Sequence, residues 1–268
     1  MMVSISSRLD CTRLFLVSGV LLLVAMPATA QRMAQAFAPD AFGYTLLAAD
    51  QCPQQWLDIS ASGQLLSLQP AGAEPADDDG AAQLTLAEAF EFYGRTYTQL
   101  MVSSNGYVGV AADANGDNGG DFSNDCPLPA VPDNGAAALG RLLPLHDDLQ
   151  AGASGEVRSA YLAPCPRPGG LAGEACTVVS WSDWSYHQQP GASVAFQLLL
   201  YHQSRQVVSQ YQNVAAIDSA SATIGLQAPQ LAGALTVDCN QPLALPSSGA
   251  WCAAYPLPVE TLLSNGFE

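Results

Sequence analysis

The sequence predicts an all-β fold, an antiparallel β-sandwich of jelly-roll type stapled by disulfides. Three observations carry that prediction. Short β-rich runs alternate with Gly, Pro, Asn and Asp clusters along the chain, the pattern of sandwiches and barrels. No heptad, internal repeat or amphipathic helical stretch longer than a few turns interrupts them. Six cysteines, an even number, follow an export signal, which reads as a disulfide framework in an oxidising compartment.

The export signal comes first. Arg8 and Arg13 precede the apolar run Leu14 to Met26, and "PATA" places Ala28 and Ala30 at the −3 and −1 positions of a cleavage site after Ala30. The run is 13 residues long, short of the roughly 20 that a spanning helix needs. Residues 1–30 are therefore expected to leave as a signal peptide, with no transmembrane segment in what remains. The expected order is then a lead-in over 31–50, a sandwich over 51–256 and a tail over 257–268.

Within the sandwich, "WLDIS" and "QLLSLQP" are expected to form a hairpin around Ala61-Ser62-Gly63, followed by the acidic loop "PAGAEPADDDGA" and the run "AQLTL". The strongest hairpin signal is "QLMVSSNGYVGVA", Gln99 to Ala111, because Asn-Gly tolerates positive φ at both positions of a tight turn. "CTVVSWSDWSYH" and "SVAFQLLLYHQ" are long β-rich runs, and "QVVSQYQ" returns as the partner of the second. In that second run Val194, Phe196, Leu198 and Leu200 share one face by the two-residue period, which assigns them to the core. "SATIGLQ" and "LAGALTVDC" supply two further strands.

Loss of the signal peptide leaves 23 acidic residues against six Arg and no Lys. That excess repels nucleic acid and anionic lipid, since phosphate binding requires basic side chains. It also excludes any lysine-dependent mechanism. Cys11 leaves with the signal; among Cys52, Cys126, Cys165, Cys176, Cys239 and Cys252 sequence alone allows 15 pairings. Short separations favour Cys165–Cys176 and Cys239–Cys252, and Cys52–Cys126 follows by exclusion. No C-x₂-C or H-x₃-H spacing points to zinc instead.

From Phe90 to Val110, "FEFYGRTYTQLMVSSNGYVGV", the chain resembles a module of bacterial secreted proteins. The parts are Phe90 to Gly94 with Tyr97, Val102 to Tyr107, "CPLP" at Cys126 to Pro129, "LPLHDDL" at Leu143 to Leu149, Val179 to Trp181, Phe196 to Tyr201 and Ala222 to Gln227. Their order and spacing hold from about Leu84 to Gln227. Such modules are similar, distantly, to the nidogen-type extracellular domain, and the resemblance implies an exported all-β sandwich more firmly than any activity. One departure is Leu145-His146 where the pattern usually shows Phe-Trp.

Three stretches invite chemistry. "DANGDNGGDFSND" sets Asp113, Asn115, Asp117 and Asp121 at alternating positions, as hard oxygen ligands for Ca²⁺ require. Asn118 replaces the EF-hand glycine and Asn124 its terminal Glu, so only a weak β-loop calcium site (Kd on the order of 10⁻⁴–10⁻³ M) competes with a solvated turn of Asx bonds. His146 with Asp148 is a candidate acid–base pair, although neither a G-x-S-x-G elbow nor an H-E-x-x-H helix accompanies it. Trp184 and Tyr186 share a face by alternation and offer a ligand platform if exposed, core if buried.

The reading that results is a secreted or periplasmic, non-catalytic binding or adhesion module, with calcium as its one candidate ion and an extracellular glycan or protein as its partner. A hydrolase built around His146 and Asp148 is the alternative from another class, and a purely structural envelope protein is a third.

Overall fold

The computed structural model describes residues 38–48, 51–52, 54–110, 118–124, 126–131, 140–189, 193–212, 221–241 and 249–256. Within them two seven-stranded antiparallel sheets face each other. The strands are β1 (Thr45–Leu46), β2 (Gln64–Leu65), β3 (Gln69–Pro70), β4 (Gly80–Phe92), β5 (Arg95–Ser103), β6 (Val108–Val110), β7 (Arg141–His146), β8 (Leu149–Leu162), β9 (Cys176–Tyr186), β10 (Val194–Tyr201), β11 (Val207–Gln212), β12 (Thr223–Gln227), β13 (Ala234–Cys239) and β14 (Ala250–Ala254). One sheet runs β1-β14-β11-β10-β9-β8-β2 and the other β13-β12-β7-β6-β5-β4-β3.

The core lies between the sheets. Val194, Phe196, Leu198 and Leu200 of β10 are fully buried there, as their spacing requires. Trp181 stacks on Phe196 with ring centroids 4.9 Å apart. Side-chain hydrogen bonds cross between the sheets: Trp181 Nε1 donates to the Ser103 carbonyl at 2.9 Å, the Tyr211 hydroxyl to the Pro144 carbonyl, and the Tyr161 hydroxyl to Glu88 Oε2 at 2.8 Å.

Both outer faces also carry straps of irregular chain. Cys52, Leu57 and Ile59 pack on Val178, Leu199, Tyr201 and Val208 to form a second apolar cluster. Gln197 anchors this strap by donating to the Leu57 carbonyl at 2.6 Å and accepting from the Leu57 N–H. On the other sheet, residues 118–124 and 126–131 are held by hydrogen bonds from Ser103, Thr223 and Gln227.

The straps explain two of the three disulfides. The structure joins Cys52 to Cys252 and Cys126 to Cys239, in place of the expected Cys52–Cys126 and Cys239–Cys252. Cys239 ends β13 in one sheet while Cys252 sits in β14 of the other, so their closeness in sequence is not closeness in space. β1 pairs with β14, which carries the following Cys52 to Cys252. Cys165 and Cys176, only 11 positions apart, are joined.

Three further expectations change. "WLDIS" and "QLLSLQP" do not pair with each other. Gly63 closes a turn on the Ile59 carbonyl at 2.7 Å, but β2 pairs with β8 and β3 with β4. The sandwich also begins before residue 51, because β1 lies at Thr45–Leu46. The Asn105-Gly106 hairpin forms between β5 and β6, but of those two residues only Gly106 has positive φ, +69°.

Candidate functional site

Asn105 is buried completely, and its amide ties three segments at one end of the sandwich. Nδ2 donates to Asp79 Oδ1 at 2.8 Å, and Oδ1 accepts from the Leu149 N–H at 3.0 Å. The Asn105 carbonyl accepts from the Asp147 N–H at 3.4 Å, and the Gly106 carbonyl from the Leu145 N–H at 3.2 Å. Gly106 has to be glycine, because a Cβ there would stand 1.9 Å from the Leu145 carbonyl oxygen. A neighbouring bond fixes the acidic loop: the Ser104 N–H donates to the Gly80 carbonyl at 2.7 Å, and Ser104 Oγ to the Asp78 carbonyl at 2.5 Å.

These bonds gather Asp78 from the acidic loop, Asp148 from the turn after β7, and His187 from just past β9. His187 Nδ1 lies 3.3 Å from Asp78 Oδ1 and 3.8 Å from Asp148 Oδ1. The His187 N–H donates to the Asp148 carbonyl at 2.8 Å, so the backbone that carries the ring is tied to the backbone of the residue whose carboxylate it faces. The three ligand atoms lie within 4.8 Å of one another. Asp147 is turned away and braced, accepting from the Asp148 N–H at 2.8 Å and from Ser221 Oγ at 2.7 Å. Burial pushes the Asp148 carboxyl above the usual carboxylate range; His187 acts against this, and the charges of Asp78, Asp79 and Asp147 act with it. Asp77, Asp148 and His187 form the accessible rim, while Asp78, Asp79 and Asp147 are buried.

A second polar knot lies under the strap of residues 118–124. Arg141 Nη1 and Asp121 Oδ2 form an ion pair at 2.5 Å with almost no exposure on either side. The guanidinium lies over the Tyr107 ring, 4.3 Å from its centroid. Asp121 Oδ1 accepts from the N–H and the hydroxyl of Ser123. His146, fully buried, packs on Tyr107 and places Nε2 3.2 Å from the Asp121 carbonyl oxygen.

This placement corrects several expectations. His146 and Asp148 do not form a pair: the bend after β7 breaks the alternation that would have aligned them, and each faces a different partner. The Asp121 carboxylate is committed to Arg141 and Ser123, so it is not an available calcium ligand. Asp113, Asn115 and Asp117 lie outside the described residues, as do the cleavage site and the tail. Trp184 and Tyr186 do not form an exposed platform. They are 1% and 6% exposed, because an irregularity in the β9–β10 pairing, with Asp183 at φ +59°, puts Trp184 in the same core as Trp181. His187 and Asp78 escaped prediction as functional residues. The sequence signal was there, in "DDD", "HDD" and "SYH", but nothing in it showed that the three meet.

A groove of about 580 Å³ runs elsewhere, along β13 beside Pro127 and Leu128. Among the described residues no helix is long and apolar enough to cross a membrane.

Two packed sheets, outer straps clamped by disulfides and a polar end built from loops define a disulfide-stapled β-sandwich module suited to an oxidising compartment. The family model described as "NIDO related" matches residues 51–251, about three-quarters of the chain, and the protein belongs to that family. Searches of the curated proteins and of the solved structures returned no match.

Proposed function

We propose that the protein is an exported binding or adhesion module without catalysis of its own, released by cleavage after Ala30 and acting outside the cytoplasm on an extracellular glycan or protein. The observation that carries this reading is the loop end itself. The acidic loop, the Ser104–Tyr107 turn and the "HDD" turn are locked together by buried hydrogen bonds, presenting Asp77, Asp148 and His187 on a rigid rim. Rigid scaffolds that present polar loops are a common way for β-sandwiches to carry recognition sites. The acid–base pair on which the hydrolase alternative rested is not assembled, which weighs against that alternative. Calcium held by Asp113, Asn115 and Asp117 belongs to this proposal as a stabilising ion, with Asp121 removed from the ligand set.

The test uses the purified exported protein on a glycan array and on immobilised extracellular proteins. Binding should be weakened at least tenfold by Asp77→Ala and unchanged by Tyr161→Ala, which alters the far end of β8. Absence of binding to either class would favour the structural envelope role.

A further inference from the structure

We infer that Asp78, Asp148 and His187 form a binding site for a divalent first-row transition metal such as Zn²⁺ or Mn²⁺, with His187 Nδ1 and one oxygen from each carboxylate as the protein ligands. The site goes beyond the binding-module reading and does not depend on it.

Two observations carry the inference. The first is donor geometry. A tetrahedral ion with bonds of about 2.0–2.1 Å separates its donors by about 3.3 Å. Asp78 Oδ1 and His187 Nδ1 already stand 3.3 Å apart, and His187 Nδ1 and Asp148 Oδ1 3.8 Å. Asp148, on the accessible rim, has to close on His187 by a fraction of an ångström and on Asp78 as well, from which its oxygen stands within 4.8 Å. One imidazole and two carboxylates suit Zn²⁺ or Mn²⁺ better than Ca²⁺, which prefers six to eight oxygens. Water would complete the coordination on the open side.

The second observation concerns charge. Two deeply buried carboxylates elsewhere in the molecule each have a guanidinium: Asp121 has Arg141 and Glu174 has Arg167. At the loop end Asp78, Asp79 and Asp147 are all at least nine-tenths buried, with Asp148 beside them. Among the described residues no Arg pairs with Asp78, Asp79 or Asp148. The Asp78 side chain is 8% exposed, and its Oδ2 accepts no hydrogen bond from the described residues. Buried carboxylates are costly unless paired or metal-bound, and among the described residues the basic side chain beside Asp78 and Asp148 is His187. A divalent ion supplies the missing charge at the one point where three donors converge.

The experiment is isothermal titration of ZnCl₂, MnCl₂ and CaCl₂ into the metal-stripped exported protein, together with its melting temperature in EDTA and in each metal. The expected result is one saturable site for Zn²⁺ or Mn²⁺ and a melting temperature that rises with metal concentration. His187→Gln and Asp148→Asn, both on the accessible rim, should each weaken that binding tenfold or more while the melting temperature in EDTA stays near that of the parent. No saturable binding of Zn²⁺ or Mn²⁺ by the parent would overturn the inference. So would unchanged affinity in both variants, or Ca²⁺ binding of equal strength that survives His187→Gln.

Discussion

Asn105 and Arg141 show how single side chains hold this fold's polar ends together. The Asn105 amide satisfies both Asp79 and the Leu149 N–H, so Asn105→Ala leaves two buried groups without partners at about 1–3 kcal/mol each. Urea unfolding should register that loss; a change under about 0.5 kcal/mol would mean that water reaches both groups. Arg141→Ala tests a stronger interaction. It strands the Asp121 carboxylate in a site with no exposure, and breaking a buried pair from one side costs about 3–5 kcal/mol. Against a total stability of about 5–15 kcal/mol, that variant should unfold at much lower denaturant. An unchanged midpoint would show that Asp121 finds another cation or a proton. Sequence reading found Asn105-Gly106 as a turn signal and Asp121 as a metal ligand. Both residues mattered, for reasons that only their tertiary neighbours reveal.

The disulfide pattern turns on which strands are neighbours, and a tryptic map distinguishes it from the alternative. The chain has no Lys, so cleavage falls after Arg, giving peptides 33–95, 96–141 and 206–268 that hold Cys52, Cys126 and the pair Cys239 and Cys252. With Cys52–Cys252 and Cys126–Cys239, peptide 206–268 carries both of the others in one non-reduced species. With pairing by sequence proximity it runs alone, and 33–95 is joined to 96–141 instead. The same logic marks what was legible in the sequence. Strands β9 to β12 announce themselves through β-branched and aromatic residues. β8 does not: "LQAGASGEVRSAYL" is mostly small and polar, yet it pairs along β9 at ten positions. β14 is hidden in "AWCAA", and β1 in the lead-in expected over 31–50. Alternation also failed at Trp184, where a local irregularity overrides the two-residue period. The candidate site was partly legible. Asp148 was singled out, but His187 reaches it through the pairing of β8 with β9 and Asp78 through the folding back of the acidic loop, which no local pattern encodes.

Phenol groups link the two sheets of the sandwich, which gives the whole molecule a definite response to alkali. Tyr44 and Tyr93 pack with centroids 4.9 Å apart, Tyr44 beside β1 in one sheet and Tyr93 at the β4–β5 turn of the other. The Tyr93 hydroxyl donates to Asp40 Oδ2 at 2.5 Å, while Tyr211 donates across the sheets to Pro144. Burial pushes the ionisation of all three well above the ordinary phenol value. Tyr255, which donates to Glu91, is pushed up to about 12, by burial first and then by that carboxylate. Unfolded tyrosine ionises near pH 10, so above that pH the unfolded chain releases protons that the folded chain retains. The unfolded state then binds fewer protons, and stability falls as pH rises. Below pH 10 the contribution is intact; for Tyr255 the loss runs from about pH 10 to about 12. Each fully retained proton on Tyr44, Tyr93 and Tyr211 costs about 1.4 kcal/mol per pH unit, so the three together cost about 4 kcal/mol per unit. A domain with about 5–15 kcal/mol to lose should therefore unfold cooperatively one to a few units above pH 10. Stopped-flow pH jumps, fast enough to precede disulfide exchange, should show the 295 nm absorbance of these tyrosines rising in one step together with the loss of β-sheet circular dichroism. Smooth titration of every tyrosine near pH 10 with the dichroism unchanged would mean that these phenols do not hold the sheets together.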